Sequence, residues 1–217
     1  MIGRRAAVLA GLAAGLPWAA RAANPPVPPN GRIAFEAFRN DSRIGTHTLS
    51  FSSNGDELSV RIEVRFAVGF GPLTLYRYTL LGTERWSGGR FVALDTDTND
   101  DGTQHKVTVR RVGSGLQVRS SGMPDSLLPA ETLPLTHWAV AAMSAPLFNP
   151  QDGVPIPGEV TKTGPEMVKF LDGSGVEANG YRLNGKLALQ DWYDDAQHWV
   201  KLRAKAKDGS DVDYRLV

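Results

Sequence analysis

The sequence predicts an all-β fold, a long antiparallel meander forming a curved sheet, a partial barrel or a sandwich. Three observations carry this. Apolar and polar residues alternate with period two from Gly31 onwards, turn residues recur every ~8 to 14 residues, and only one short segment has helical character. The clearest strand runs from Leu58 to Phe66. Leu58, Val60, Ile62, Val64 and Phe66 alternate there with Ser59, Arg61, Glu63 and Arg65. One apolar and one charged face is the pattern of a half-buried antiparallel strand.

The elements follow in order. Asn24-Pro-Pro-Val-Pro-Pro-Asn30 is a stiff, extended lead-in. Asn54-Gly55-Asp56 joins Gly45–Ser53 to the strand at Leu58, because Asn-Gly tolerates positive φ. Ser87-Gly88-Gly89 follows a strand over Leu73–Trp86, and Asn99-Asp-Asp-Gly102 follows Phe91–Thr98. Gly113-Ser-Gly115 separates Lys106–Val112 from Leu116–Ser120. Residues 121–158 are proline-rich and lack alternation, and within them Thr136–Ser144 reads as one short helix, N-capped by Thr136 and stopped by Pro146. Such a helix would cover an open end or face of the sheet. Asp194-Asp-Ala-Gln197 and Lys207-Asp-Gly-Ser210 divide the last strands, Lys186–Tyr193, His198–Ala206 and Asp211–Leu216. The expected organisation is a cleaved leader over 1–22, a Pro-rich stretch over 23–30 and a single β-rich domain over 31–217.

The leader has three parts. Arg4 and Arg5 precede the uncharged run Ala6–Leu16, and Ala20-Arg21-Ala22 fits the small-x-small cleavage pattern. The run is shorter than the ~20 residues that a membrane-spanning helix needs. The expectation is a periplasmic protein with no transmembrane segment after cleavage. The twin arginines and mild hydrophobicity suit twin-arginine export, but Ala6 and Ala7 lack that signal's usual followers, so the general route stays open.

Composition excludes several chemistries. The 217 residues include no cysteine, so disulfides, thiolate zinc sites, iron–sulfur clusters, cysteine nucleophiles and lipoprotein anchors are out. The formal charge of +1 loses the three leader arginines on cleavage and becomes −2, which gives no reason to expect nucleic acid. No G-x-S-x-G elbow, H-E-x-x-H pair, S-x-x-K motif or phosphate-binding glycine loop occurs.

Two groupings remain as candidate sites. Tyr76, Tyr78, Leu80, Glu84 and Trp86 share one strand parity, so they face one way and can line a ligand cavity with Glu84 as the anchor. His137 and Trp138, at the start of the expected helix, join them as ligand-binding candidates. The alternative is a core strand with Glu84 near the rim or paired to an arginine. Asp97-Thr-Asn99-Asp-Asp101-Gly102 matches the opening of a calcium loop, with Asp97, Asn99 and Asp101 as oxygen ligands. Thr108 stands where the closing glutamate belongs, and a simple hairpin turn explains the same residues. Apart from this Ca²⁺ option no cofactor is expected. Asp191-Trp192-Tyr193-Asp194 with Trp199 reads as a hairpin with aromatic cross-strand packing, or as an exposed tryptophan pair for a sugar.

The chain also resembles a known family. The residues that carry the likeness are Arg43-Ile-Gly45, Tyr76-Arg-Tyr78, Glu84-Arg-Trp86, Asp95-Thr-Asp-Thr98, Thr136-His-Trp138, Tyr181-Arg-Leu183, Asp191-Trp-Tyr-Asp194, Trp199-Val-Lys-Leu202 and Tyr214-Arg-Leu216. Together they are similar to an exported proteobacterial family catalogued as domain of unknown function six-one-three-four, over roughly Arg32 to Leu216. The resemblance implies an envelope β-protein and no reaction. A looser likeness to another exported β-rich family implies a long curved antiparallel sheet.

Three functions are therefore expected in order. The first is non-enzymatic binding of an apolar or lipid-like envelope ligand. The second is an envelope hydrolase or isomerase using Glu84, Asp95, His137 and Asp191, which requires two of these groups to converge in a cleft. The third is a protein-interaction module using strand edges or residues 121–158. The oligomeric state is left open.

Overall fold

The computed structural model describes residues 24–70, 73–185, 187–206 and 208–217. The expected leader lies outside the described residues.

One antiparallel sheet of 13 strands forms the molecule. The chain begins at its middle and runs outwards through β1 (Arg32–Arg39), β2 (Ser42–Asn54), β3 (Glu57–Phe70), β4 (Leu73–Ser87), β5 (Arg90–Asp100), β6 (Thr103–Val112), β7 (Gly115–Ser120) and β8 (Met123–Pro129). It then leaves the sheet for an insert containing β9 (Leu133–Pro134), a 3₁₀ turn over Val140–Ser144, β10 (Leu147–Phe148) and β11 (Pro155–Ile156). These three short strands make a small sheet of their own. The chain rejoins the large sheet at its opposite edge and returns through β12 (Gly158–Lys169), β13 (Gly175–Gly185), β14 (Leu189–Asp194), β15 (Trp199–Lys205) and β16 (Asp211–Leu216). Last and first strands pair, with Tyr214 opposite Ala37. The insert therefore connects the two edge strands, β8 and β12, and packs across the concave face between them.

The alternation behaves as expected. Leu58, Val60, Ile62 and Val64 are buried on β3 while Ser59, Arg61, Glu63 and Arg65 point away from the core. The core forms between the concave face and the insert, and holds Phe35, Leu49, Phe91, Leu94, Trp138, Phe148 and Trp199. Tight hairpins set the registers. Asn40 and Asp41 (φ 44° and 64°) and Gly88 and Gly89 (φ 53° and 74°) have positive φ at both central positions, the twist that suits a two-residue hairpin. A smaller cluster of Val168, Ala178, Trp192 and Val200 lies apart from the main core.

The structure selects the curved sheet over the sandwich, corrects two expectations and, for the Asp191–Trp199 hairpin, favours aromatic cross-strand packing over an exposed pair. Thr136–Ser144 is not a helix with Thr136 as its cap. Only Val140–Ser144 turns, as 3₁₀, because His137 has φ +70° and the Thr136 hydroxyl binds a sheet carboxylate instead. Residues 121–158 are not wholly irregular, since β8 occupies their start. Trp192 and Trp199 are not an exposed pair, as each is 1% exposed. Tyr193 stands opposite Trp199 and Trp192 opposite Lys201, so Val200 is an extra bulge residue. That bulge puts Trp199 in the main core and Val200 in the smaller cluster.

One close approach yields a prediction. A Cβ on Gly45 would lie 1.9 Å from the Arg65 carbonyl oxygen of the paired strand, whereas one on Gly55 would meet nothing within 4 Å. Urea unfolding should show Gly45→Ala destabilised by about 3 kcal/mol or more and Gly55→Ala by about 1 kcal/mol, from its positive φ alone.

Candidate functional site

Two carboxylates on the concave face hold the insert. Glu84 of β4 is fully buried and accepts hydrogen bonds from the Thr136 hydroxyl (2.8 Å), Trp138 Nε1 (3.2 Å) and its own neighbour Trp86 Nε1. Asp191 of β14 is fully buried too, and binds His137 Nδ1 (2.9 Å) and Trp199 Nε1 (2.9 Å). Residues 136 and 138 thus reach one carboxylate while residue 137 reaches the other. The backbone between them makes this possible. The Trp138 N–H donates to the Thr136 carbonyl at 2.9 Å with His137 at φ +70°, a γ-turn of the rare, strained kind. The Tyr193 hydroxyl donates to the His137 carbonyl, and the His137 ring stacks on Trp199 at 5.1 Å. Strain of this kind persists where surrounding contacts over-determine it.

A second set of bonds fixes the other arm of the insert. The Thr96 hydroxyl donates to the Pro150 carbonyl (2.7 Å), Tyr78 donates to Gln151 Oε1 (3.2 Å), and the Gln151 amide donates to Asp100 (3.2 Å).

Between these two arms lies a cavity of about 330 Å³. The sheet supplies Ile62, Val64, Phe66, Tyr76, Tyr78 and Leu80, and the insert supplies Leu135, Thr136, His137 and Asn149–Gln151. His47 of β2 and Tyr214 of β16 complete the inner wall. The volume is at the small end of the roughly 300–1,000 Å³ range of ligand pockets, and the mixture of apolar surface with a few polar groups is typical of them.

The expected ligand row divides here. Tyr76, Tyr78, Leu80 and His137 line the cavity. Glu84, Trp86 and Trp138 do share the concave face, but they are buried in the core as the fastening of the insert. Glu84 is therefore an anchor for the protein's own chain, not for a ligand at this cavity, and it lies neither near the rim nor beside an arginine. Asp95 has opposite strand parity to Glu84 and is held by Arg85 (2.8 Å) and Arg110 (2.7 Å) away from the cavity. Of the four acid–base candidates, only His137 and Asp191 meet.

The calcium candidates serve a hairpin. Asp100 pairs with Thr103 around the two-residue turn Asp101–Gly102. Asp97 faces Lys106 (3.4 Å), Asn99 Oδ1 accepts from the Gly102 N–H (2.7 Å), and Asp101 Oδ1 accepts from the Arg77 N–H (3.2 Å). Among the described residues no three His, Asp or Glu side chains group as a metal site.

Sequence reasoning missed His47. Both of its ring nitrogens are buried without a protein hydrogen-bond partner, in contact with the rings of Trp199 (5.2 Å) and Tyr214 (5.7 Å). Burial, and secondarily the nearby His137, push its pKa down to about 3, so the ring is neutral. Burial raises both Tyr78 and Tyr214, which stay protonated. Burial also pushes Glu84 up to about 7 against three hydrogen bonds that favour its anion. The only sequence signal for His47 was its inward parity with Leu49 on β2.

The sequence profile of the domain of unknown function DUF6134 matches residues 35–217. The chain belongs to the DUF6134 family. No curated protein sequence matches it. Among solved structures, one described as a β-barrel-like protein of the domain of unknown function DUF1849 from Brucella abortus is similar, with a TM-score of 0.60 at 10% identity. The match covers 86% of this chain and 94% of that one. At such identity the likeness between the DUF6134 chain and the DUF1849 protein is one of fold.

The two perturbed groups of this DUF6134 chain give opposite pH dependences. Glu84 rises from 4.5 to about 7 on folding, so its contribution is complete below pH 4.5 and is lost as pH climbs towards 7. His47 falls from 6.5 to about 3, so stability is lost as pH drops below 6.5. Between about pH 4.5 and 6.5 the slopes, each at most ~1.4 kcal/mol per unit, oppose one another. Denaturation across that window should show stability rising with pH in Glu84→Gln and falling with pH in His47→Phe, relative to the parent chain.

Proposed function

We propose that this is a periplasmic protein that binds an apolar or amphipathic envelope ligand of lipid-like character in the cavity between sheet and insert. The observation that carries the reading is the cavity itself: its wall divides into apolar side chains, among them Ile62, Val64, Phe66, Leu80 and Leu135, and a few polar ones, His47, Thr136, His137, Asn149 and Gln151. That division matches a molecule with an apolar body and one polar end. The volume suits a small or single-chain amphipath better than a two-chain lipid. The leader pattern at Arg4–Ala22 supports delivery to the periplasm.

Native mass spectrometry of protein purified from the periplasm of its own host tests this. The expected spectrum carries an adduct on the order of several hundred daltons that is lost on denaturation. Val64→Trp, which fills the cavity, should remove the adduct while the protein stays folded. A bare mass in the parent chain, or an adduct indifferent to Val64→Trp, would count against the reading.

A hydrolase reading has one specific observation in its favour. His137 lines the cavity, and Asp191 holds its Nδ1 at 2.9 Å, which leaves Nε2 for acid–base work. No described serine or threonine hydroxyl bonds to His137, so this histidine would activate water. Turnover of p-nitrophenyl butyrate that falls at least ~100-fold in His137→Gln would favour hydrolysis over binding. Binding alone predicts no turnover in either protein.

A further inference from the structure

We propose that His47 selects the polar end of the ligand, so that the cavity takes an uncharged amphipath ending in a hydroxyl and disfavours an anionic one ending in a carboxylate. This rests on the cavity being a ligand site.

A buried imidazole in a protein normally has both nitrogens bonded or solvated. His47 has neither nitrogen bonded to protein, is 4% exposed, and stands in the cavity wall. It sits at the inner end, opposite Val64 in the β2–β3 register, and Val64 in turn lies opposite Leu80. An apolar chain against Val64 and Leu80 therefore ends beside the imidazole, whose nitrogens lie just beneath the wall and meet a head group when the ring turns towards the cavity.

Charge also favours a neutral ligand. Among the described residues, the cavity wall has no Lys, Arg, Asp or Glu. Carboxylates stand behind its side chains. Asp191 is bonded to His137, and Asp100 accepts from the Tyr76 hydroxyl at 2.7 Å. An anion would enter a desolvated site with no lysine or arginine, where His137, the other histidine in the wall, already faces the Asp191 carboxylate at 2.9 Å, and carboxylates stand behind the wall, which is costly.

Hydrogen-bond chemistry points the same way. A neutral imidazole has one donor and one acceptor nitrogen, and with no protein partner its tautomer is free to adapt. A hydroxyl is likewise donor and acceptor, so it satisfies whichever nitrogen it meets. A carboxylate can only accept, and it would draw its full stabilisation from an imidazolium that burial of His47 opposes.

The test is calorimetric titration of the full mature chain with 1-decanol and with decanoate. Both have the same chain length, and near pH 7.5 the decanoate, of pKa ~4–5, is ionised. Decanol should bind at least ~10-fold more tightly than decanoate. His47→Phe, which keeps a planar apolar ring, should weaken decanol at least ~5-fold and leave decanoate unchanged. His47→Gln keeps a donor and an acceptor and should retain most of the preference, which separates loss of the hydrogen bond from loss of the fold. Decanoate binding as tightly as decanol would overturn the head assignment and leave a ligand cavity standing. A preference undiminished in His47→Phe would overturn the role of His47. Binding of neither probe would overturn both the assignment and the cavity reading.

Discussion

Burial of two carboxylates under one tripeptide organises this protein. Glu84 and Asp191 stand on strands far apart in the sheet order, and both are removed from water. Neither can be left without partners, because a buried carboxylate with unmet lone pairs is strongly destabilising. Thr136, His137 and Trp138 meet the need from a single reversal of the backbone. The strained γ-turn at His137 is stabilised by those bonds, and the bonds exist only because the turn sends alternate side chains in opposite directions. A sheet that curves and an insert that spans its concavity are thereby tied into one unit.

The topology explains why the tie is needed. The chain leaves the sheet at β8 and re-enters at β12, its two edges, so the connecting segment must cross the open concave face. A face lined by Leu49, Val60, Ile62 and Leu94 would otherwise be exposed to water. Trp138 and Phe148 from the insert complete that core, with Trp138 meeting Trp86 at 5.7 Å and Phe51 at 5.2 Å. The cavity is where the two arms of the insert do not meet the sheet closely. Its position follows from the anchors: the Glu84 and Asp191 contacts draw residues 136–138 inward, and the Thr96 and Gln151 contacts hold residues 149–151 at the other side. His47 is buried against it as a consequence of strand register, and both of its ring nitrogens lack a protein partner.

Strand parity made much of this legible. The shared facing of Tyr76, Tyr78, Leu80, Glu84 and Trp86 follows from period two alone and holds in the fold. Which of them meets a cavity and which meets the insert does not follow, since it depends on where a segment some fifty residues later comes to rest. The same limit applies to Thr136. Locally it reads as a helix cap, because a threonine before an Ala-rich run is a cap signal. A buried carboxylate at 2.8 Å is a stronger acceptor for its hydroxyl than the N–H groups of a helix end are donors to it. The turn residues at Asp97–Gly102 were also legible, and strand pairing around Asp101–Gly102 shows the hairpin they form.

By itself, the sequence determined an all-β antiparallel meander, most of its hairpin turns, and the residues that face inward on each strand. These are local properties, set by side-chain period and by the few residues that accept positive φ. Only the tertiary structure decided that the proline-rich segment bridges the sheet's two edges, that Glu84 anchors the chain, that His137 and Asp191 meet, and that His47 is left with free nitrogens at the cavity wall. Each of these joins residues tens of positions apart, and their approach is governed by sheet curvature and by the need of buried polar groups for partners, neither of which any short window of sequence contains.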